Sequence, residues 1–127
     1  MQIATQVTLR GIIRIAFFVC LIAVLILALS SQPPVFMLGD NDKTQHFLTF
    51  FALSGLAGLA WPSSVRQSGL GLLFLGAIIE ILQGTPIIGR DMSSLDWIAD
   101  AIGVSVGLVF AFASIRLLPL FNRHNQS

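Results

Sequence analysis

Apolar residues in this chain fall into four runs, over about residues 11–30, 43–61, 69–83 and 95–118, separated by short polar or proline-bearing breaks. The first run, from about Gly11 to Leu29, is long enough to cross a bilayer as a helix. "SSQPPVFMLGDND" ends it, because Pro33 and Pro34 cannot continue a helix. The second run stops at Pro62 and is joined to the third by "PSSVRQS". "GTPIIGRDMSS" leads into the fourth, which stops before Pro119. Arg10 and Arg14 precede the first run and Ala28 and Ser30 close it, as in a cleaved signal. Its length nevertheless exceeds the about 7–15 residues of a signal core, so it is expected to be retained as a span.

Composition turns these runs into a fold class. Of 127 residues, 55% are hydrophobic and only 10% charged, with a mean hydropathy of +0.87. Soluble domains carry about 25% charged residues, so the chain reads as one integral membrane domain. The expected fold is all-α, a transmembrane four-helix bundle. The net charge of +1 and the lack of any basic run argue against a nucleic-acid partner. Cys20 is the single cysteine and lies inside an apolar run, which excludes an internal disulfide or thiolate cluster. It reads as a small buried apolar residue.

The charges sort by side. Arg10, Arg14, Arg66, Arg116 and Arg123 flank one set of helix ends, where no acid occurs. Asp40, Asp42, Glu80, Asp91, Asp96 and Asp100 all lie at the other ends, with Lys43 and Arg90 as the only cations. The positive-inside rule then predicts both termini in the cytoplasm and the acidic connections outside. The third span reads as short, about 24 Å from Ser68 to Gln83 against a hydrocarbon core of about 30 Å. That places Glu80 about a turn below the outer surface. A charge there costs at least about 2.5–3.5 kcal/mol in lipid, so it should face the bundle interior or a wet cavity.

Helical spacing gathers the polar groups. Asp96, Asp100, Gly103, Gly107, Ala111 and Ser114 recur at steps of three and four, and "GVSVG" gives the small-residue spacing that lets helix backbones approach closely. Gly69, Leu72, Gly76, Glu80 and Gln83 repeat the arrangement in the third span, and Asp42 and His46 share a face in the second, with Lys43 beside them. Three helices thus carry small packing residues below and ionisable residues above. The candidate site is His46 and Glu80 as an acid/base pair, with Asp42, Lys43, Gln83, Arg90, Asp96 and Asp100 as ligand-binding groups. Simpler roles compete. Asp42 with Gln45, and Ser93 with Asp96, fit helix-capping boxes; Arg90 and Asp91 can pair or be solvated; the whole set can be a structural network. Trp61 and Trp97 read as interfacial anchors. No HExxH, paired histidine or cysteine set signals a metal, so no cofactor is expected, although one histidine among carboxylates leaves a divalent cation as an alternative. No serine sits in a nucleophile elbow.

The ordered set "DKTQHF", "EILQ", "GRDMSSLDWIAD" and "GVSVG" resembles the VanZ-like family of small bacterial membrane proteins. Its motifs map to Asp42, Lys43, His46 and Phe47, to Glu80 and Gln83, and to Arg90, Asp96, Gly103 and Gly107, within about residues 42–107. Two positions depart: Phe50, where the family often has tyrosine, and Asp100, where it often has asparagine. The founding member is associated with resistance to teicoplanin, a lipid-bearing glycopeptide that acts outside the cytoplasmic membrane. The resemblance implies a multi-pass protein of the bacterial cytoplasmic membrane. An outward-facing polar site of this kind suits an envelope lipid or lipid-linked precursor as partner. Resistance itself is not carried over. The rival readings are a non-enzymatic partner-interaction or packing role, and a transport path, which four short helices leave little room for.

Overall fold

A computed structural model describes residues 2–31 and 42–122. The described residues are helical and contain no strand. α1 covers Gln2–Ala28, α2 Asp42–Ala60, α3 Val65–Gln83, α4 Ser94–Leu117 and the short α5 Pro119–Asn122. The connection "SSQPPVFMLGDND" lies, apart from its ends, outside the described residues, as do Asp40 and Arg123.

Three stretches are long and apolar enough to cross a membrane: Val7–Ala28, Pro62–Gln83 and Ser94–Leu117. α2, the second apolar run of the sequence, falls short of that measure. Asp42, Lys43, Gln45 and His46 crowd its first turns, and its second half is rich in Ser54, Gly55, Ala57 and Gly58 rather than large aliphatics. The third span is not short. A 3-10 turn at Pro62–Ser64 carries the chain from α2 directly into α3, so "PSSVRQS" is wound into helix instead of forming a linker. Proline is tolerated there because a helix's first N–H groups have no internal partner to lose.

α2 is the centre of the assembly, packed against α1, α3 and α4. Its contact with α4 is a backbone-to-backbone one. A Cβ on Gly103 would come 2.5 Å from the Phe47 carbonyl oxygen and 3.1 Å from the Phe51 nitrogen. One on Gly107 would meet the Ser54 hydroxyl and lie 2.5 Å from the Phe51 carbonyl oxygen. Ser54 Oγ lies within bonding distance of the carbonyls of Gly103 (3.3 Å) and Phe51 (3.2 Å), tying the two helices where they are closest. The apolar core, Phe50, Leu53, Ala57, Leu72, Ile79 and Val104, fills the space between α2, α3 and α4.

α1 touches this core with one face, through Phe17, Leu21, Val24 and Leu25. Its other faces expose Ile12, Ile15, Val19, Ile22 and Ile26, and α3 and α4 likewise expose Leu70, Phe74, Val109 and Phe112. A belt of large apolar side chains this continuous suits hydrocarbon, not water.

Candidate functional site

The site assembles where α2 begins, α3 ends and α4 begins. Helical spacing brings Asp96 and Asp100 onto the buried face of α4, together with Gly103, Val104, Gly107 and Ala111. Glu80 and Gln83 lie on the buried face of α3 with Gly69, Leu72, Gly76 and Ile79. Where these faces meet, His46 projects between them from α2.

His46 is the hub. Its Nδ1 lies 2.8 Å from Asp100 Oδ1, a direct hydrogen bond. Its Nε2 faces three further carboxylates: Glu80 Oε1 at 3.7 Å, Asp96 Oδ2 at 3.9 Å and Asp42 Oδ1 at 4.0 Å. Those distances are too long for hydrogen bonds. Lys43 Nζ stands 3.7 Å from Asp96 Oδ1. Asp100 is fully buried, and Glu80 and Asp96 are each 4% exposed. The side chains of Asp42 and Lys43 are half-exposed, so the site has a buried floor and a polar mouth.

Four carboxylates thus surround one imidazole, with one lysine at the rim. Buried charge is costly unless paired and hydrogen-bonded, and the pairing here is incomplete. Glu80 Oε1, Asp96 Oδ1 and Asp100 Oδ2 are buried and make no hydrogen bond among the described residues. Glu80 Oε2, by contrast, accepts the Ser93 backbone N–H at 3.0 Å.

That last bond corrects a sequence expectation. Ser93 does occupy the N-cap of α4 with an extended backbone, but its side chain makes no capping bond. Asp96 has been drawn into the cluster, and the chain's own amide at Ser93 serves to orient Glu80. Asp42 likewise lies within the first turn of α2 with its carboxylate near His46.

Two expected site residues sit apart from this hub. Gln83 Nε2 and Arg90 Nη1 both donate to the Ala28 carbonyl, at 2.8 Å and 3.2 Å, and the Arg90 backbone N–H bonds the Gln83 carbonyl at 2.9 Å. These groups fasten the end of α1 to α3 and the loop after it. Arg90 is therefore engaged with a helix C-terminus, whose last carbonyls lack internal partners, and is not aligned with Lys43 towards an anion. Asp91 is exposed. Trp97 donates from Nε1 to the Leu73 carbonyl at 3.0 Å.

Small residues make the room. A Cβ on Gly76 would lie 2.8 Å from Asp100 Oδ2 and 3.4 Å from Phe50 Cζ. The glycine therefore admits the Asp100 carboxylate between α3 and α4, and Phe50 closes the site on its apolar side. A tyrosine at this position would carry its hydroxyl at Cζ, next to the same gap.

Compared with family models, with curated proteins and with solved structures, the chain matches none. What the site can do must follow from its own groups. His46 and Glu80 are close enough to exchange a proton through one bridging molecule. The donor atoms of His46, Glu80 and Asp100, and those of Asp42, His46 and Asp96, lie within 4.8 Å of one another.

Proposed function

We propose that the chain is a VanZ-like protein of the bacterial cytoplasmic membrane whose polar site, at the outer leaflet, binds or modifies an envelope lipid or lipid-linked precursor. In this reading α2 is the fourth span of a four-helix bundle. Its low hydropathy is no obstacle, because α1, α3 and α4 cover it and polar groups inside a membrane are tolerated where they face protein. Both termini lie in the cytoplasm. The supporting asymmetry is that Arg10 and Arg14 lie in the first half of α1, Arg66 at the start of α3 and Arg116 in the last turn of α4, while the acids of the described residues lie towards the opposite ends.

The observation that carries the functional reading is the half-exposed pair Asp42 and Lys43 above the partly buried His46 and the buried Glu80. Lys43 offers an anionic headgroup a point charge, and His46 with Glu80 supplies acid/base capacity beneath it. Glu80→Gln and His46→Ala, purified in detergent and analysed by native mass spectrometry, are expected to lose a co-purifying lipid that the wild-type chain retains. Equal lipid retention in folded variants would count against the reading.

A second reading, a non-enzymatic packing network, draws support from the 2.8 Å His46–Asp100 bond and from the two donors on the Ala28 carbonyl. Failure of both variants to fold would favour it.

A further inference from the structure

We propose that His46 Nε2 and the carboxylates of Asp42, Glu80 and Asp96 form a binding site for a first-row transition dication such as Zn²⁺ or Mn²⁺, with Asp100 as the group that orients the imidazole. The proposal stands independently of any lipid ligand.

The geometry begins with the imidazole. An ionised carboxylate only accepts hydrogen bonds, so the 2.8 Å contact between Nδ1 and Asp100 Oδ1 places the ring proton on Nδ1. In the neutral ring, the form that binds a metal, Nε2 then carries the lone pair. That lone pair faces oxygens of Glu80, Asp96 and Asp42 at 3.7, 3.9 and 4.0 Å. They lie at distances too long for hydrogen bonding. They are also close to what a shared cation requires: ligands about 2.1 Å from a tetrahedral ion stand about 3.4 Å apart. The donor atoms of Asp42, His46 and Asp96 lie within 4.8 Å of one another, so these three can share an ion, and Glu80 Oε1 approaches the same nitrogen from α3. A histidine that ligates through one nitrogen while its other N–H is held by a carboxylate is the usual arrangement around bound metals.

A second observation points the same way. Glu80 Oε1 is buried and has no hydrogen-bond partner among the described residues, while Asp96 turns Oδ2 to Nε2 and Oδ1 to Lys43. Both side chains are about 6% exposed. Glu80 Oε1 is the very oxygen aimed at Nε2, while Oε2 of the same carboxylate is held by the Ser93 amide. Glu80 is thus fixed with one oxygen bonded and the other directed inward. The charges agree as well. When ionised, the three ligating carboxylates and Asp100 carry four negative charges against one on Lys43, and a dication would offset two more. One imidazole among carboxylate oxygens suits first-row dications better than the soft ions that thiolates select. Asp42, half-exposed, gives the ion a path from the mouth of the site.

The test uses the full chain in detergent, stripped with chelator and titrated with Zn²⁺ and with Mn²⁺ by calorimetry. About one equivalent of at least one of them is expected to bind the wild-type chain. Glu80→Gln and Asp96→Asn should each weaken that binding about 10-fold or more, and Asp100→Asn, acting through the imidazole, about 10- to 100-fold. Asp91→Asn, at an exposed acid outside the cluster, should leave it unchanged. Asp42→Asn guards against variants that fail to fold, since its side chain is 53% exposed, and it too should weaken binding. Co²⁺ substitution adds a readout on the wild-type chain alone, a visible absorption band from a four-coordinate site. No stoichiometric binding to the wild-type chain, or binding that Asp42→Asn, Glu80→Gln and Asp96→Asn leave unaltered, would overturn the proposal.

Discussion

At one end of the helices Arg14 lays its guanidinium over the Trp61 ring, 5.6 Å from its centroid, and reaches the Ala60 carbonyl at 3.4 Å. Arg116 rests on Phe112 in the same manner, at 4.8 Å. At the other end Asp96, Asp100 and Glu80 are drawn wholly into the protein around His46. The contrast follows from side-chain length. Arginine has an apolar stem that lies along helices and rings while its head stays near polar surroundings. Aspartate has one methylene and cannot reach out. An acid on the buried face of α4 has to find its partners inside, and those partners must come from other helices. The arginine end therefore rests on stems laid along rings, Arg116 on Phe112 within α4 and Arg14 across to the end of α2, whereas the acidic end is buried and held by groups from three helices.

Breaking each end should show that difference in stability. The largest effect is expected from Asp100→Ala, which strips His46 of its bonded partner within the buried cluster. Loss of one member of a buried charged pair costs about 3–5 kcal/mol, read as a fall in the thermal unfolding midpoint in detergent. Gly103→Ala comes next, since its new Cβ would press on the Phe47 carbonyl. Overpacking of this kind costs about 1–3 kcal/mol, and the same measurement should resolve it. Gln83→Ala removes one of two donors from the Ala28 carbonyl and should cost about 0.5–1.5 kcal/mol. Protease susceptibility or hydrogen exchange in α1 would localise that loss to its Ala28 end. Arg14→Ala, at the arginine end, should cost only about 0.5–1 kcal/mol, the worth of an exposed cation–π contact. If Arg14→Ala proved as damaging as Asp100→Ala, the contrast between the ends would collapse.

Much of this was legible in the sequence because helical spacing is unforgiving. The run Asp96, Asp100, Gly103, Gly107 and Ala111, read at steps of three and four, is the face that α4 buries. Gly69, Leu72, Gly76, Glu80 and Gln83 are buried on α3 in the same way. Spacing says which residues share a face; it does not say what lies opposite. Arg90 read as a ligand-binding group, but the end of α1 comes within its reach and supplies a carbonyl without a helical partner. Ser93 and Asp96 had the spacing of a capping box, yet Asp96 lies with His46 and Lys43 and the Ser93 amide is taken by Glu80. A cap is a local solution that a longer-range partner can outbid. The start of α3 was misplaced for another reason: prolines mark helix ends equally well as helix beginnings, and Pro62 marks both. The hydropathy of α2 was the hardest to read, since its polar first turns report what surrounds it more than where it sits.

The way α1 is fastened bears on how the protein assembles. Arg14, near the middle of α1, bonds the Ala60 carbonyl, and Gln83 and Arg90 bond the Ala28 carbonyl at its end. Between these points only one face touches the core, and 6% of its spanning window is buried. α1 is made first on the ribosome, but half of its fastenings are made last. The groups that hold its Ala28 end belong to residues 83 and 90, which follow the whole of α2 and most of α3. Until they arrive, α1 is held only by its face on α2 and by Arg14 at the Ala60 carbonyl. Independent insertion of single helices followed by lateral association describes membrane proteins generally; here the Ala28 end of α1 is fastened by groups that follow α2 in the chain.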